Sequence, residues 1–505
     1  MRITRLVTLF LACATPLLAQ QPAAGGTPRL PAAASRIRDS DLRRDLALLA
    51  GPGMRGREAG TPDELRASMW LAEQMRRIGL VPSGEDSSWF QWFAMRRTAV
   101  ATAASSVRLG DRPLALWSDI TPTSAAAGDA SGVPLLVRDV SDTTVDVRGR
   151  IVVAFLVAPP TTNIRTTTNT WAVNYTRAAL AAQGLPLQRR GAAAVVLIAD
   201  SMAEAGFAGI ASVSSRGAYD VVGGAPRFVR PGTPPPAARP VPLLLARGAL
   251  AADLTAPGAT LDIRIRPEVF ETPSVNIIGL VRGTDPVLRD EYVVFSSHQD
   301  HDGVRYPVDG DTVWAGADDN GSTSVALLAI ARAWVRQPAK RSALFIFHGA
   351  EERGLLGSRY HAVHPVVPLE RMVAVLNGDM IGRNHPDTAA LMGTQPPHRN
   401  SADLVRMAMD ANAATARFVI DSTWDRPAHP EGWYFRSDHV PYAERGVPAL
   451  FFSTNLHPDY HTPRDTPERI NYAKLTRMTQ WMYLTGWLAA NADRRPAVDS
   501  AFVLR

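Results

Sequence analysis

In Tyr292-Val293-Val294-Phe295-Ser296-Ser297-His298-Gln299-Asp300-His301 an apolar run of strand length, Tyr292 to Ser296, passes directly into imidazole and carboxylate side chains. A second such run, Ala343 to Phe347, follows. Between the two, Leu327, Ile330, Ala331 and Trp334 recur at i, i+3, i+4 and i+7, the spacing of one helical face. From Ser274 onward strands alternate with helices, which predicts an α/β fold with a mostly parallel twisted sheet covered by helices on both faces. Ligands of open α/β sheets bind in the crevice outside the carboxyl ends of the strands, so the residues from His298 stand where a site is expected.

Upstream the character changes. Between about 105 and 265, short apolar runs (Ile151 to Val157, Ala192 to Ile198, Val241 to Leu245) are split by Gly and Pro, as in buried strands of a separate β-rich domain. The proline-dense stretch from Pro226 to Pro242 reads as an exposed loop or domain edge. Leu65, Met69, Leu71, Ala72, Met75 and Ile78, closed by Gly79, predict an amphipathic helix with a glycine stop. Residues 20 to 36, rich in Ala, Pro and Gly, read as a flexible leader. Before them, Arg2 and Arg5, the apolar Leu6 to Leu18 and the small Ala19 have the order of an export signal over residues 1–19, cleaved near Ala19. That apolar run is shorter than the roughly 20 residues of a membrane-spanning helix. The expected product is a periplasmic or extracellular protein without a transmembrane segment. It has an N-terminal helical part over 37–104, an insert over 105–265 and the α/β domain over 266–495.

With 46% hydrophobic and 20% charged residues the composition is that of an ordinary globular protein, and 505 residues are enough for two or three domains. A formal net charge of +6 would suit a nucleic-acid partner, but acids and bases are interspersed without a block of like charges, so none is expected. Of the 54 basic residues only Lys340 and Lys474 are lysine, which argues against lysine-based covalent chemistry. The single cysteine, Cys13, lies inside the signal, where it faintly resembles a lipidation site. A mature chain without it has neither disulfides nor thiolate metal ligands. All 11 histidines lie at or after His298, so any imidazole site belongs to the α/β part.

Four further clusters accompany the one at His298. Gly316-Ala317-Asp318-Asp319-Asn320 precedes the helix containing Leu327; such residues commonly cap helices, yet a carboxylate with two oxygens also suits bridging of two cations. Glu351-Glu352-Arg353-Gly354 follows the second strand. Neighbouring glutamates are unremarkable on a solvated surface, whereas beside a dication one ligates and the other accepts a proton from metal-bound water. A further strand, Val373 to Leu376, runs into Asp379, and Tyr460-His461-Thr462 supplies a second imidazole. Singly, each pattern has a bland reading as a turn, a cap or a solvated face. Together, successive strand ends that each deliver a donor point to a metal site. Two histidines and three carboxylates without sulfur suit zinc and tolerate cobalt or manganese. Asp300, two residues after His298, is placed to orient that ligand.

Taken in order, His298-x-Asp300, Gly316-Ala317-Asp318-Asp319-Asn320, Glu351-Glu352-Arg353-Gly354, Asp379-Met380 and His461-Thr462 resemble the M28 family of zinc peptidases, typified by aminopeptidases, over about residues 274 to 490. Gly56 to Gly79 is similar to the helical lead-in of such enzymes, and 105 to 265 to their inserted protease-associated (PA) domain. The resemblance implies two zinc ions per chain: His298 and Asp379 on one, Glu352 and His461 on the other, with Asp319 bridging. It also implies Glu351 as the general base that activates a metal-bridging water, hydrolysing N-terminal residues of peptides or proteins. Asp300 would support His298. Tyr434, near Ser437-Asp438-His439, would stabilise the tetrahedral oxyanion, although a core aromatic is an equal reading of it. His301, His439 and His457 read as supporting or structural residues. M20-like peptidases and deacylases also use His-x-Asp and Glu-Glu but place the bridging Asp in another context, and glutaminyl-cyclase-like relatives use one zinc. A non-catalytic secreted peptide-binding protein would tolerate loss of a ligand or of Glu351, and none is lost. A dimetal nuclease or phosphatase finds no phosphate-binding glycine loop or basic cluster near the motifs.

Overall fold

The computed structural model describes residues 28–159, 170–229, 240–500 and 502–504. The export signal, Cys13 and most of the proline-dense stretch lie outside the described residues.

The chain opens with α1 (Asp39–Leu49) and α2 (Pro62–Ile78). The Thr61 hydroxyl accepts the backbone N–H groups of Asp63 and Glu64 to start α2, and Gly79 (φ 100°) closes it. Ala67, Ser68, Leu71, Ala72 and Met75 are buried, but Leu65 and Met69, expected on the same face, are 40% and 58% exposed. At about 100° per residue they lie roughly 120° and 160° round the helix from Leu71, off the stripe that meets the core.

Two long antiparallel strands, β1 (Phe90–Val100) and β2 (Pro267–Val281), carry the chain out to the insert and back. The insert's expected runs are indeed strands: 151–155, 194–198 and 243–246 pair in parallel. A second, four-stranded antiparallel sheet completes the unit. The insert is not merely β-rich, however, because α3 (Trp171–Arg189) and α4 (Ser201–Arg216) pack on the parallel strands. Parallel strands bury both faces and require such cover. Strand 218–221, directly after α4, leaves the insert to pair with β1 at the edge of the main sheet.

The main sheet continues with β3 (Tyr292–His298), β4 (Ser342–His348), β5 (Met372–Gly378), β6 (Thr388–Met392) and β7 (Ala449–Ser453). Its order is β1-β2-β4-β3-β5-β7-β6. The central β4-β3-β5-β7 are parallel, while β1, β2 and β6 pair antiparallel, so the sheet is mixed rather than mostly parallel. The alternation of strand and helix governs the centre; β6 follows β5 through a loop alone, and β1 and β2 flank the insert. Val293 and Phe295 of β3 face a layer built from α1, α2, α5 (Thr323–Arg336), α6 (Ala402–Ala414) and α7 (Tyr472–Asn491). Val294 faces the opposite side, closed by the short helix 440–444 and the segment 366–369. Leu327, Ile330, Ala331 and Trp334 of α5 are buried as their spacing predicts. Part of the expected leader is held in place: residues 32–36 form one 3-10 turn whose small Ala33 and Ala34 side chains lie buried in the core.

Candidate metal centre

Parallel β3, β4, β5 and β7 point their carboxyl ends to one edge of the sheet. His298 is the last residue of β3, Glu351 and Glu352 follow β4 in a tight turn, Asp379 follows β5, and His461 lies on the loop after β7. Asp319 comes from the turn 317–322 that leads into α5, and its peptide bond to Asn320 is cis. All five predicted donors converge. Asp319 stands at the centre, with Oδ1 3.3 Å from His298 Nε2 and Oδ2 3.0 Å from His461 Nε2. Asp379 Oδ1 and Glu351 Oε2 lie 3.5 and 3.7 Å from His298 Nε2, while Glu352 Oε1 lies 3.2 Å from His461 Nε2. The donors fall into two groups, His298–Glu351–Asp379 and His301–Asp319–Glu352–His461. Each group gathers nitrogen and oxygen atoms only. His298 Nε2 and Glu352 Oε1 are buried without a hydrogen-bond partner among the described residues. Buried polar atoms rarely go unpaired, and a divalent cation fits this donor set.

The adjacent glutamates are electrostatically unlike. Burial raises the Glu351 carboxyl well above the usual range; His298 opposes the shift while Asp379 and Glu352 add to it. Burial pushes Glu352 the same way but is outweighed, chiefly by His461 and also by His301, so its carboxyl is held well below that range. Environments that push two carboxyls apart in this way separate a proton carrier from an anionic ligand.

Neighbouring side chains fix the donors. Asp300 does support His298, but through its carbonyl, 3.1 Å from Nδ1. Its carboxylate instead accepts the backbone N–H groups of Glu351 (3.0 Å) and Glu352 (3.3 Å). Ser437 Oγ donates to Asp379 Oδ2 at 2.8 Å. Asp465 accepts the backbone N–H groups of Asp318 and Asp319. Asp302 Oδ2 lies 3.4 Å from His461 Nδ1, the carboxylate–histidine arrangement that orients a ligating imidazole. Sequence reasoning assigned no task to Asp302 or Asp465, although both lie within four residues of a predicted ligand.

It also passed over Arg57. This fully buried guanidinium donates to four carbonyls, those of Gln299 (2.7 Å), Leu49 (2.9 Å), Ala315 (2.7 Å) and Gly316 (2.9 Å). It thereby ties the loop after β3 to the turn that carries Asp319.

The metal donors open into a cavity of about 610 Å³ walled by Phe228, Trp433, Phe435, Arg436 and Tyr460, with Arg216 and Tyr219 contributed from the insert side. Tyr434 does not line it. Its ring is buried, stacked on His398 at 4.2 Å, and its hydroxyl has no partner among the described residues, so it is a core aromatic. Tyr460, beside His461, does line the cavity, and its hydroxyl accepts from Arg436 at 2.8 Å. His439 is buried against Tyr434, and His457 Nε2 lies 3.5 Å from Asp318 Oδ2.

An α/β sheet with carboxylates and imidazoles gathered at its carboxyl edge around a shared aspartate has the form of a metallohydrolase centre. Residues 276–485 match the model of peptidase family M28. The chain is 28% identical to aminopeptidase YwaD of Bacillus subtilis over 230 residues, 44% of this chain and 46% of the relative. It spans about half the length of the curated relatives it matches. The fold is that of BSAP, a zinc aminopeptidase from Bacillus subtilis, with a TM-score of 0.57 and 18% identity over 92% of this chain and 97% of the other. It is also that of an aminopeptidase from Aneurinibacillus sp. strain AM-1, with a TM-score of 0.55 and 18% identity over 93% and 98%.

Proposed function

We propose that the chain is an exported zinc-dependent aminopeptidase that holds two zinc ions and removes N-terminal residues from peptides. The observation that carries this reading is Asp319, which presents one carboxylate oxygen to each donor group, with Glu351 in the group of His298. The ions, when bound, supply Lewis acidity and lower the pKa of water. Glu351 takes the proton from the attacking water and returns it to the leaving amine, a task suited to a carboxyl raised by burial. Tyr460, fixed by Arg436, donates to the developing oxyanion. Phe228, Trp433 and Phe435 form an apolar wall for a substrate side chain, and the insert, through Arg216 and Tyr219, limits the length of peptide admitted. Export rests on the order of residues 1–19; among the described residues no helix is long and apolar enough to cross a membrane.

Elemental analysis of the purified protein, beside assays on aminoacyl, dipeptidyl and C-terminally blocked substrates, tests this reading. Two zinc ions per chain are expected, with activity lost to chelators and restored by zinc or cobalt. Full activity after exhaustive chelation would refute it.

A further inference from the structure

A second cavity, of about 460 Å³, adjoins the one that holds the metal donors and shares Arg177, Val213, Arg305, Arg436, Tyr460 and His461 with it. Beyond this passage its walls are Val173 and Asn174 of α3, with Tyr306, Trp314 and Glu431. A hairpin, Gly303–Val308 and Asp311–Trp314, frames the passage and is seated between the insert and the main sheet. Arg216 of α4 donates to the carbonyls of Asp302 and Val304, both at 3.0 Å. Tyr306 packs on the insert's core, and a Cβ at Gly209 of α4 would stand 3.0 Å from its ring.

Arg305 is thereby fixed at the passage. Its side chain is only 8% exposed, one terminal nitrogen pairs with Asp302, and the guanidinium lies 4.4 Å over the Trp314 ring. Its Nε is buried without a hydrogen-bond partner among the described residues. Buried polar atoms rarely go unpaired, and a guanidinium with donors to spare matches a carboxylate. The surroundings also favour an anion. Seven arginines line the two cavities; apart from the metal donors, they face Asp302, Glu431 and Glu444 in the walls, with Glu58 and Asp220 paired to Arg216 and Arg359. Burial lowers the Arg216 guanidinium; Glu58 opposes the shift, whereas Arg305 and Arg353 add to it, as cations crowded together do.

We propose that this passage is a subsite in which Arg305 holds a carboxylate carried on the leaving side of the scissile bond. Its source is the free C-terminus of a short peptide or an acidic side chain next to that bond. This rests on the aminopeptidase reading above. The arginines repel a substrate's N-terminal ammonium, so the opposite end is the one that enters here.

The test compares hydrolysis of leucine-initiated dipeptides and tripeptides as free acids and as C-terminal amides, and of amidated peptides with aspartate or asparagine in second place. The charged member of at least one pair should be favoured about 10-fold or more in kcat/KM, the share of one charge-assisted hydrogen bond, with the effect in KM. The pair that responds identifies the source of the carboxylate. The preference should vanish in Arg305→Gln and in Arg305→Lys, which keeps a cation beside Asp302 and removes the fork, while the uncharged peptides are still cleaved. Equal rates within every pair, or a preference retained in both variants, would overturn the inference. Calorimetric titration of the zinc-loaded chain with acetyl-glycyl-glycine, whose blocked amine prevents cleavage, reads the subsite apart from hydrolysis; its amide, or Arg305→Gln, should weaken binding by about 10-fold or more. A chain that cleaves none of the peptides but shows this difference would remove the aminopeptidase reading and leave the subsite. One that cleaves acids and amides alike would do the reverse.

Discussion

Arg57→Met should destabilise the α/β domain and weaken its hold on metal together. The substitution keeps most of the volume and removes four charge-assisted hydrogen bonds of 2.7–2.9 Å. At about 1.5–3 kcal/mol each, they amount to at most about 6–12 kcal/mol. Against this stands desolvation, which lowers the guanidinium from 12.5 to about 10 even with Asp300, Asp465, Asp319 and Glu352 nearby, a cost of about 3 kcal/mol. Water re-pairs some of the freed carbonyls, so the net loss is about 4 kcal/mol, comparable to removing one partner of a buried ion pair. In a domain of roughly 150–250 residues that lowers Tm by about 8–16 °C. Calorimetry of the full chain, metal-free and with zinc, should show this shift in the α/β transition, and zinc affinity should fall because Arg57 holds the backbone on either side of the donors. A shift under about 2 °C with unchanged zinc binding would refute the clamp.

Glu351→Gln should keep both zinc ions and lose about 100-fold to 10,000-fold in turnover, whereas Glu352→Gln should lose a zinc ion and become strongly zinc-dependent in Tm. Zinc content measured beside activity decides this, and the opposite pattern would exchange the two assignments. Tyr434→Phe should leave kcat unchanged, because its hydroxyl touches nothing in the cavity, while Tyr460→Phe should lower kcat more than it raises KM; equal effects of the two would contradict the placement of the rings. Burial, with help from Asp300, raises the Glu64 carboxyl from 4.5 to about 8, so the folded state keeps a proton that the unfolded chain releases above about pH 4.5. The stabilisation is complete below that pH and is lost as pH rises towards 8. Glu64→Gln should therefore flatten the decline of Tm between about pH 5 and 8, and a slope identical to the wild type would count against this linkage.

The parallel centre and the donors His298, Glu352 and Asp379 were legible because each signal is local: an apolar run of strand length, then a donor at or just past its end. Features that depend on distant partners were not. The antiparallel flanks join β1 to β2 across the whole insert. Arg57 sits in a glycine-rich turn that looks solvated, and its carbonyl partners lie as far along the chain as Gly316. Helix α3 escaped notice because its long, Ala-rich run contains Gly184 and Pro186, which resemble breaks between strands. Tyr434 and Tyr460 both stand near motifs, and proximity in sequence does not say which way a ring turns. Asp300 had its partner identified but not its atom, since a side chain and a main-chain carbonyl of one residue are indistinguishable at the level of spacing.

The insert leaves and re-enters the main sheet on two strands that lie side by side. An excursion with adjacent ends can lengthen, shorten or diverge without stretching what carries it, so such a unit is free to drift in evolution while the metal donors stay fixed. That freedom ends at one segment. Strand 218–221 is an edge of the main sheet, Asp220 pairs with Arg359 at 2.6 Å, and Arg216 reaches Glu58 at 3.3 Å. Drift in this neighbourhood alters the mouth of the cavity directly, whereas drift in the remote four-stranded sheet does not. Homologous enzymes with the same donors should therefore diverge in the peptides they accept according to how they replace these few residues, and not according to the overall size of the excursion.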